Sequence, residues 1–148
     1  MKNNFEPQKT NYKMRNVISV IAGLATAIIT FLLVESLNNS LHPVPKNLDF
    51  KDTIAVKTFY ENQPITLWIL VLLGWAMGSF FCGLLIQLIG KNTHKKFPII
   101  AGSILTVSAI ANFVLLPHPI WCIVVGLLIF IPFTIIGHQL MKTNNHVK

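Results

Sequence analysis

The sequence predicts an all-α protein, a polytopic four-transmembrane-helix bundle with both termini cytoplasmic. Three observations carry this. Apolar residues make up 53% of the 148-residue chain and charged residues only 11%, with a mean hydropathy of +0.60; a soluble domain carries about 25% charged residues. The charges are also segregated: apart from Glu35, none falls in residues 17–37, 64–90, 97–116 or 119–141. Each stretch supplies the roughly 20 apolar residues that a helix needs to cross a hydrocarbon core of about 30 Å. Finally, the cations are unevenly shared between the two sides. Nine of them (Lys2, Lys9, Lys13, Arg15, Lys91, Lys95, Lys96, Lys142, Lys148) fall on the side of the termini, against Lys46, Lys51 and Lys57 on the other. The positive-inside bias puts the richer side in the cytoplasm. Residues 1–148 read as a single transmembrane domain whose long outer loop is 38–63.

The first span is a charge-free, largely apolar run, Val17–Val34, that ends at Glu35 in "FLLVESLNNSLHPVP". It exceeds the about 7–15 apolar residues of a signal peptide and no A-x-A-like site follows, so a retained helix is expected. In the outer loop, "FKDTIAVKTFYENQP" has the pattern of a short amphipathic helix lying on the membrane surface.

The second span contains "LLGWAMGSFFCGLL". Gly74 and Gly78 form a GxxxG that Cys82 extends, a small-residue stripe on which helices approach closely. Gly23 and Ala27 in the first span, and Gly102, Thr106 and Ala109 in the third, offer matching stripes. The expected use is packing within the bundle, with a dimer face as the alternative. Pro64, Pro98 and Pro119 stand near span starts, where a missing N–H costs nothing, and Gly90 is a natural helix C-cap. Trp68 and Trp121 are expected in the interfacial aromatic belt, and Gln87 and His138 at the cytoplasmic interface. Pro132, in mid-span, is expected to kink the last helix. Cys82 and Cys122 differ in depth by more than about 20 Å at about 1.5 Å rise per residue, too far for a disulfide.

A net charge of +7 and a pI near 9.7 raise the question of nucleic acid. The basic residues are flanks of apolar spans rather than a basic face, so nucleic-acid binding is excluded as a reading. The expected partners are the lipid bilayer and other membrane subunits or a second copy of the chain.

The same rise puts Glu35 about 27 Å along the first span and Asn112 about 22 Å along the third, both near the outer edge of the hydrocarbon. His42 follows in "LHPVP" and His118 lies between two prolines of the last loop. Glu35, His42, Asn112 and His118 therefore form a candidate outer polar cluster, with Asn38 and Asn39 alongside. Three readings of it stand open: a structural latch of interhelical hydrogen bonds, a proton or ion site on Glu35, or a metal site using both histidines and Glu35. The histidines lack metal-motif spacing, so no metal is assigned. No GxSxG, P-loop, GxGxxG or HExxH occurs; no catalytic residue, no cofactor and no enzymatic activity is expected.

The acidic end of the first span with "LHPVP", the "GWAMGSFFCG" of the second and "ANFVLLPHPIW" before the last together resemble a group of small bacterial four-helix membrane proteins. That resemblance implies a bacterial cytoplasmic membrane and transfers no activity. The function expected from the residues is an accessory or scaffolding subunit. The alternative is a small oligomeric transporter or channel using Glu35 as its coupling or gating carboxylate.

Overall fold

The structure, a computed structural model, describes residues 6–90 and 94–144; Lys2, Lys91 and Lys148 lie outside them. Five helices follow in order: α1 (Glu6–Leu41), α2 (Thr53–Glu61), α3 (Ile65–Gly90), α4 (Lys96–Leu115) and α5 (Ile120–Asn144). No strand occurs among the described residues. All but α2 are long and apolar enough to cross a membrane, with mean hydropathies from 1.9 to 2.6 over their most apolar windows. The chain is an all-helical, multi-pass membrane protein.

α1 outruns the expected first span by four residues at its C-terminal end. Nothing in "SLNNSL" breaks a helix, and His42 still donates its backbone N–H to the Asn38 carbonyl at 2.8 Å. The helix stops where Pro43 disfavours the helical conformation of the residue before it. Residues 38–41, expected in the loop, are thus the last turn of α1. Within the apolar run, Thr26 and Thr30 donate their hydroxyls to the carbonyls of Ala22 and Thr26, each at 2.9 Å, which satisfies them without a partner helix. α2 starts on Asp52, whose carboxylate accepts from the N–H groups of Ile54 and Ala55 at 3.0 and 3.1 Å, an N-cap of the usual kind. It buries only Val56.

α3 is the central helix, packed against α1 on one side and α5 on the other, while α4 leans mainly on α5. Small residues set these distances. A Cβ on Gly74 would sit 2.9 Å from a Val34 methyl, and one on Gly78 would run into the Phe31 ring; the glycine stripe of α3 receives α1. The opposite face of α3 meets α5 through Gly83 and Gly137. Between α4 and α5, Gly102 lets the Ile131 backbone approach, and the Thr134 hydroxyl lies within 3.0 Å of the carbonyls of Pro98, Phe130 and Ile131. Its single proton serves one of them at a time. Pro132 sits within α5, which continues through it.

Three expected interfacial residues turn inward. Gln87 and His138 are fully buried: Gln87 lies one turn beyond Gly83, and His138 adjoins Gly137, so both follow the α3–α5 contact face. Depth along the chain placed them, but helix face decides their burial. Trp68 is likewise buried, packed with Leu67 and Cys122, whereas Trp121 remains on the surface. The faces left outside carry apolar side chains such as Ile28, Leu32, Leu33 and Val107, the surface that lipid would cover.

Candidate functional site

At the α2 end of the bundle a cavity of about 430 Å³ opens between α1, α3 and α4. α1 contributes Glu35, Asn38 and Asn39, and His42 follows directly after its last residue. The i, i+3, i+4 and i+7 spacing, with the His42 N–H still bonded to the Asn38 carbonyl, puts all four on one side. α3 contributes Trp68, Val71 and Trp75 on the same principle. Asn112 and Leu116 come from the end of α4, His118 from the following turn, and Phe59 and Tyr60 from α2. All four residues of the sequence-derived cluster line this one cavity; Trp121 does not.

The cluster divides into two parts. Asn38 is buried and donates its amide to the Leu67 carbonyl at 3.4 Å. Its Oδ1 accepts from His42 Nδ1 at 3.0 Å, and His42 Nε2 meets the Thr66 hydroxyl at 3.1 Å. With Nδ1 donating, the neutral ring accepts from Thr66 on Nε2. This chain of bonds ties the last turn of α1 to the first turn of α3. The carboxylate of Glu35 and the amide of Asn112, by contrast, make no hydrogen bond to any described residue, and both face the cavity.

His118 forms the far wall. Its Nδ1 donates to the Leu116 carbonyl at 2.7 Å, leaving Nε2 as the acceptor of the neutral ring. The ring is boxed by Phe113, Trp68 and Trp75, with centroids at 5.0, 5.1 and 6.1 Å. Burial lowers its pKa from the ordinary 6.5, against the Leu116 carbonyl and Glu35, which both favour the charged form. Tyr60 also senses Glu35: burial first, and then that carboxylate, raises its pKa. Tyr60 and His118 are shared with a second cavity of about 370 Å³ beneath α2, lined also by Lys57, Glu61 and Pro117. These two side chains form the wall between the cavities. Trp75 closes the floor, packed against Phe113 and Phe130 at 5.6 Å each.

Chemically, the cavity offers one carboxylate, three carboxamides and several aromatic rings, and no Lys or Arg lines it. It does not suit a metal: among the described residues no three His, Cys, Asp or Glu side chains come together as a ligand set, and both His42 nitrogens are engaged. The inward position of Trp68 was hidden from the sequence by its place near the span's start, where an interfacial role is the default reading, and nothing in the sequence singled out Trp75. The i, i+3, i+4, i+7 spacing of Glu35, Asn38, Asn39 and His42 was the available signal that they act together.

Compared with protein-family models, curated proteins and solved structures, the chain matches none.

Proposed function

We propose that the protein is a small membrane-embedded solute-binding protein whose site is the Glu35 cavity, with no catalytic step. One observation carries the reading: the exposed Glu35 and the half-buried Asn112 line a 430 Å³ cavity without hydrogen-bond partners among the described residues, although Asn38 and His42 beside them bond to each other and to α3. A latch would close all of these groups onto one another. The cavity's size falls within the about 300–1,000 Å³ of small-ligand sites, and its walls are polar and apolar in similar measure, which suits a small ligand with both kinds of surface. This goes beyond the accessory or scaffolding role suggested by composition and packing, in which no ligand is needed. A channel is the weaker reading, because Trp75 closes the floor and α3 meets α5 backbone to backbone below it.

The test is a thermal-shift screen of solutes against the protein in nanodiscs. At least one solute should raise the unfolding temperature of wild type, and Asn112→Leu should lose that response. If no solute does so, the cavity is not a binding site.

The reading includes a bacterial cytoplasmic membrane with both termini inside and the cavity outside, supported by the nine-to-three distribution of cations. Both native cysteines are buried, so a single Ser40→Cys reports cleanly. It should react with a membrane-impermeant maleimide added to intact cells; reaction only after lysis would reverse the orientation.

A further inference from the structure

We infer that the solute is a small organic cation, an alkylated or protonated amine, held between the Glu35 carboxylate and the rings of Trp68, Trp75 and Tyr60. The inference rests on the binding reading above and adds the chemistry of the ligand.

Charge gives the first argument. Glu35 is the single acidic residue lining the cavity, and no lysine or arginine lines it. The one lysine of the neighbouring cavity, Lys57, does not line this one and has the Glu61 carboxylate beside it at 3.7 Å. His118 is held towards its neutral form by burial, and its Nε2 then presents a lone pair rather than a proton. An anionic ligand would meet one like charge and no compensating cation along the walls, which disfavours it.

The walls give the second. Indole and phenol rings attract a cation placed over their faces within about 6 Å, most strongly when it is desolvated, and alkylated ammonium groups are the usual guests of such aromatic sites. Here Trp68, Trp75, Phe59 and Tyr60 surround the same space as the carboxylate. A hard inorganic cation fits poorly: Mg²⁺ or Ca²⁺ takes about 6–8 oxygen ligands at about 2.0–2.6 Å, while this cavity is wide, has aromatic and aliphatic walls, and carries one carboxylate.

Volume gives the third. About 430 Å³ accommodates an amine with several carbon substituents, whose alkyl groups would contact Val71, Leu32 and the rings. Asn112 and Asn39 would accept or donate hydrogen bonds to a polar end.

The experiment measures equilibrium binding of three compounds of one shape to the full-length protein in nanodiscs at pH 7.5, by intrinsic tryptophan fluorescence. The compounds are choline, its uncharged isostere 3,3-dimethylbutanol, and the anion 3,3-dimethylbutyrate; tetraethylammonium is added as a larger cation. At least one of the two ammonium compounds should bind tenfold or more tightly than the isostere, and Glu35→Gln should remove that preference. The same compound should slow carbodiimide modification of Glu35 in wild type, read by mass spectrometry, so the result stands even if the variant folds poorly. Equal or tighter binding of the isostere or the anion overturns the cation inference and leaves the binding reading intact. If no compound of any charge binds, the cation inference falls, and the solute screen alone then decides the fate of the binding reading.

Discussion

Gly83 on α3 and Gly137 on α5 face each other's helix backbone. A side chain on Gly83 would enter the Thr134 carbonyl, and one on Gly137 would enter the Phe80 carbonyl. The contact is reciprocal and has no flexible side chain to move aside. In lipid, where apolar surface gains little from burial against another helix, such close backbone packing is a main source of helix association.

Gly137→Ala should therefore destabilise the protein by about 1–3 kcal/mol, the usual cost of overpacking, although the same change in an unconstrained helix gains about 1 kcal/mol. Gly83→Ala should act in the same direction. Unfolding in mixed detergent measures both, with exposed Ala25→Leu as the control. A neutral or stabilising Gly137→Ala would mean that the helices are farther apart than the structure has them.

Arg15 donates through Nε and Nη2 to the Gly90 carbonyl, at 3.1 and 2.8 Å, across the end of α3. The carbonyl is one of the last four of its helix and lacks an intrahelical partner, and a cation there also complements the helix dipole. Arg15→Gln should cost about 1–2 kcal/mol, in the range for hydrogen bonds to charged groups, and speed amide exchange in the last turn of α3. Arg15→Lys keeps the charge but loses the two-nitrogen contact. It should leave membrane orientation unchanged while recovering only part of the stability. Full recovery by lysine would reduce Arg15 to a topology signal.

The fold class was legible because span length, apolar composition and segregated charge all point to four membrane helices. The polar members of the cavity were legible as well, since Glu35, Asn112 and His118 share a depth that residue counting recovers. What counting could not supply was azimuth. Gln87, His138 and Trp68 have the depth of interfacial residues but lie on faces that turn into the bundle, and the sequence alone does not say which face meets which helix. These spans show little periodicity to help, because with lipid outside and protein inside both faces are apolar. The second role of Arg15 was out of reach of the sequence for a related reason: its partner is a backbone atom 75 residues away.

His118 should make stability depend on pH. Burial lowers its pKa below 6.5, so the unfolded chain binds the proton more readily than the folded one. Stability is then fully present above pH 6.5 and is lost as pH falls towards the folded value. Glu35 opposes the shift, so Glu35→Gln should enlarge the acid-side loss, whereas His118→Gln should reduce it. Unfolding temperatures measured between pH 5 and pH 8 check both signs. His42, Tyr60, Lys57 and Glu61 also face this region, so the comparison is between each variant and wild type at every pH. An unchanged pH profile in His118→Gln would assign the titration to another group.

The division of the polar cluster makes a sharper demand, because stability and binding should separate within a single helix face. Asn38 bridges α1 to the Leu67 carbonyl and positions His42, and it is buried. Asn38→Leu removes the buried amide that bridges to the Leu67 carbonyl and orients the His42 ring, at a cost of about 0.5–1.5 kcal/mol for each hydrogen bond lost. Glu35, one turn earlier, makes no hydrogen bond to a described residue, so Glu35→Gln at pH 7.5 should change stability by less than about 0.5 kcal/mol, as surface substitutions usually do. Parallel unfolding titrations of the two variants read the contrast directly. If Glu35→Gln destabilises as much as Asn38→Leu, the carboxylate belongs to the latch, and its exposure to the cavity is incidental.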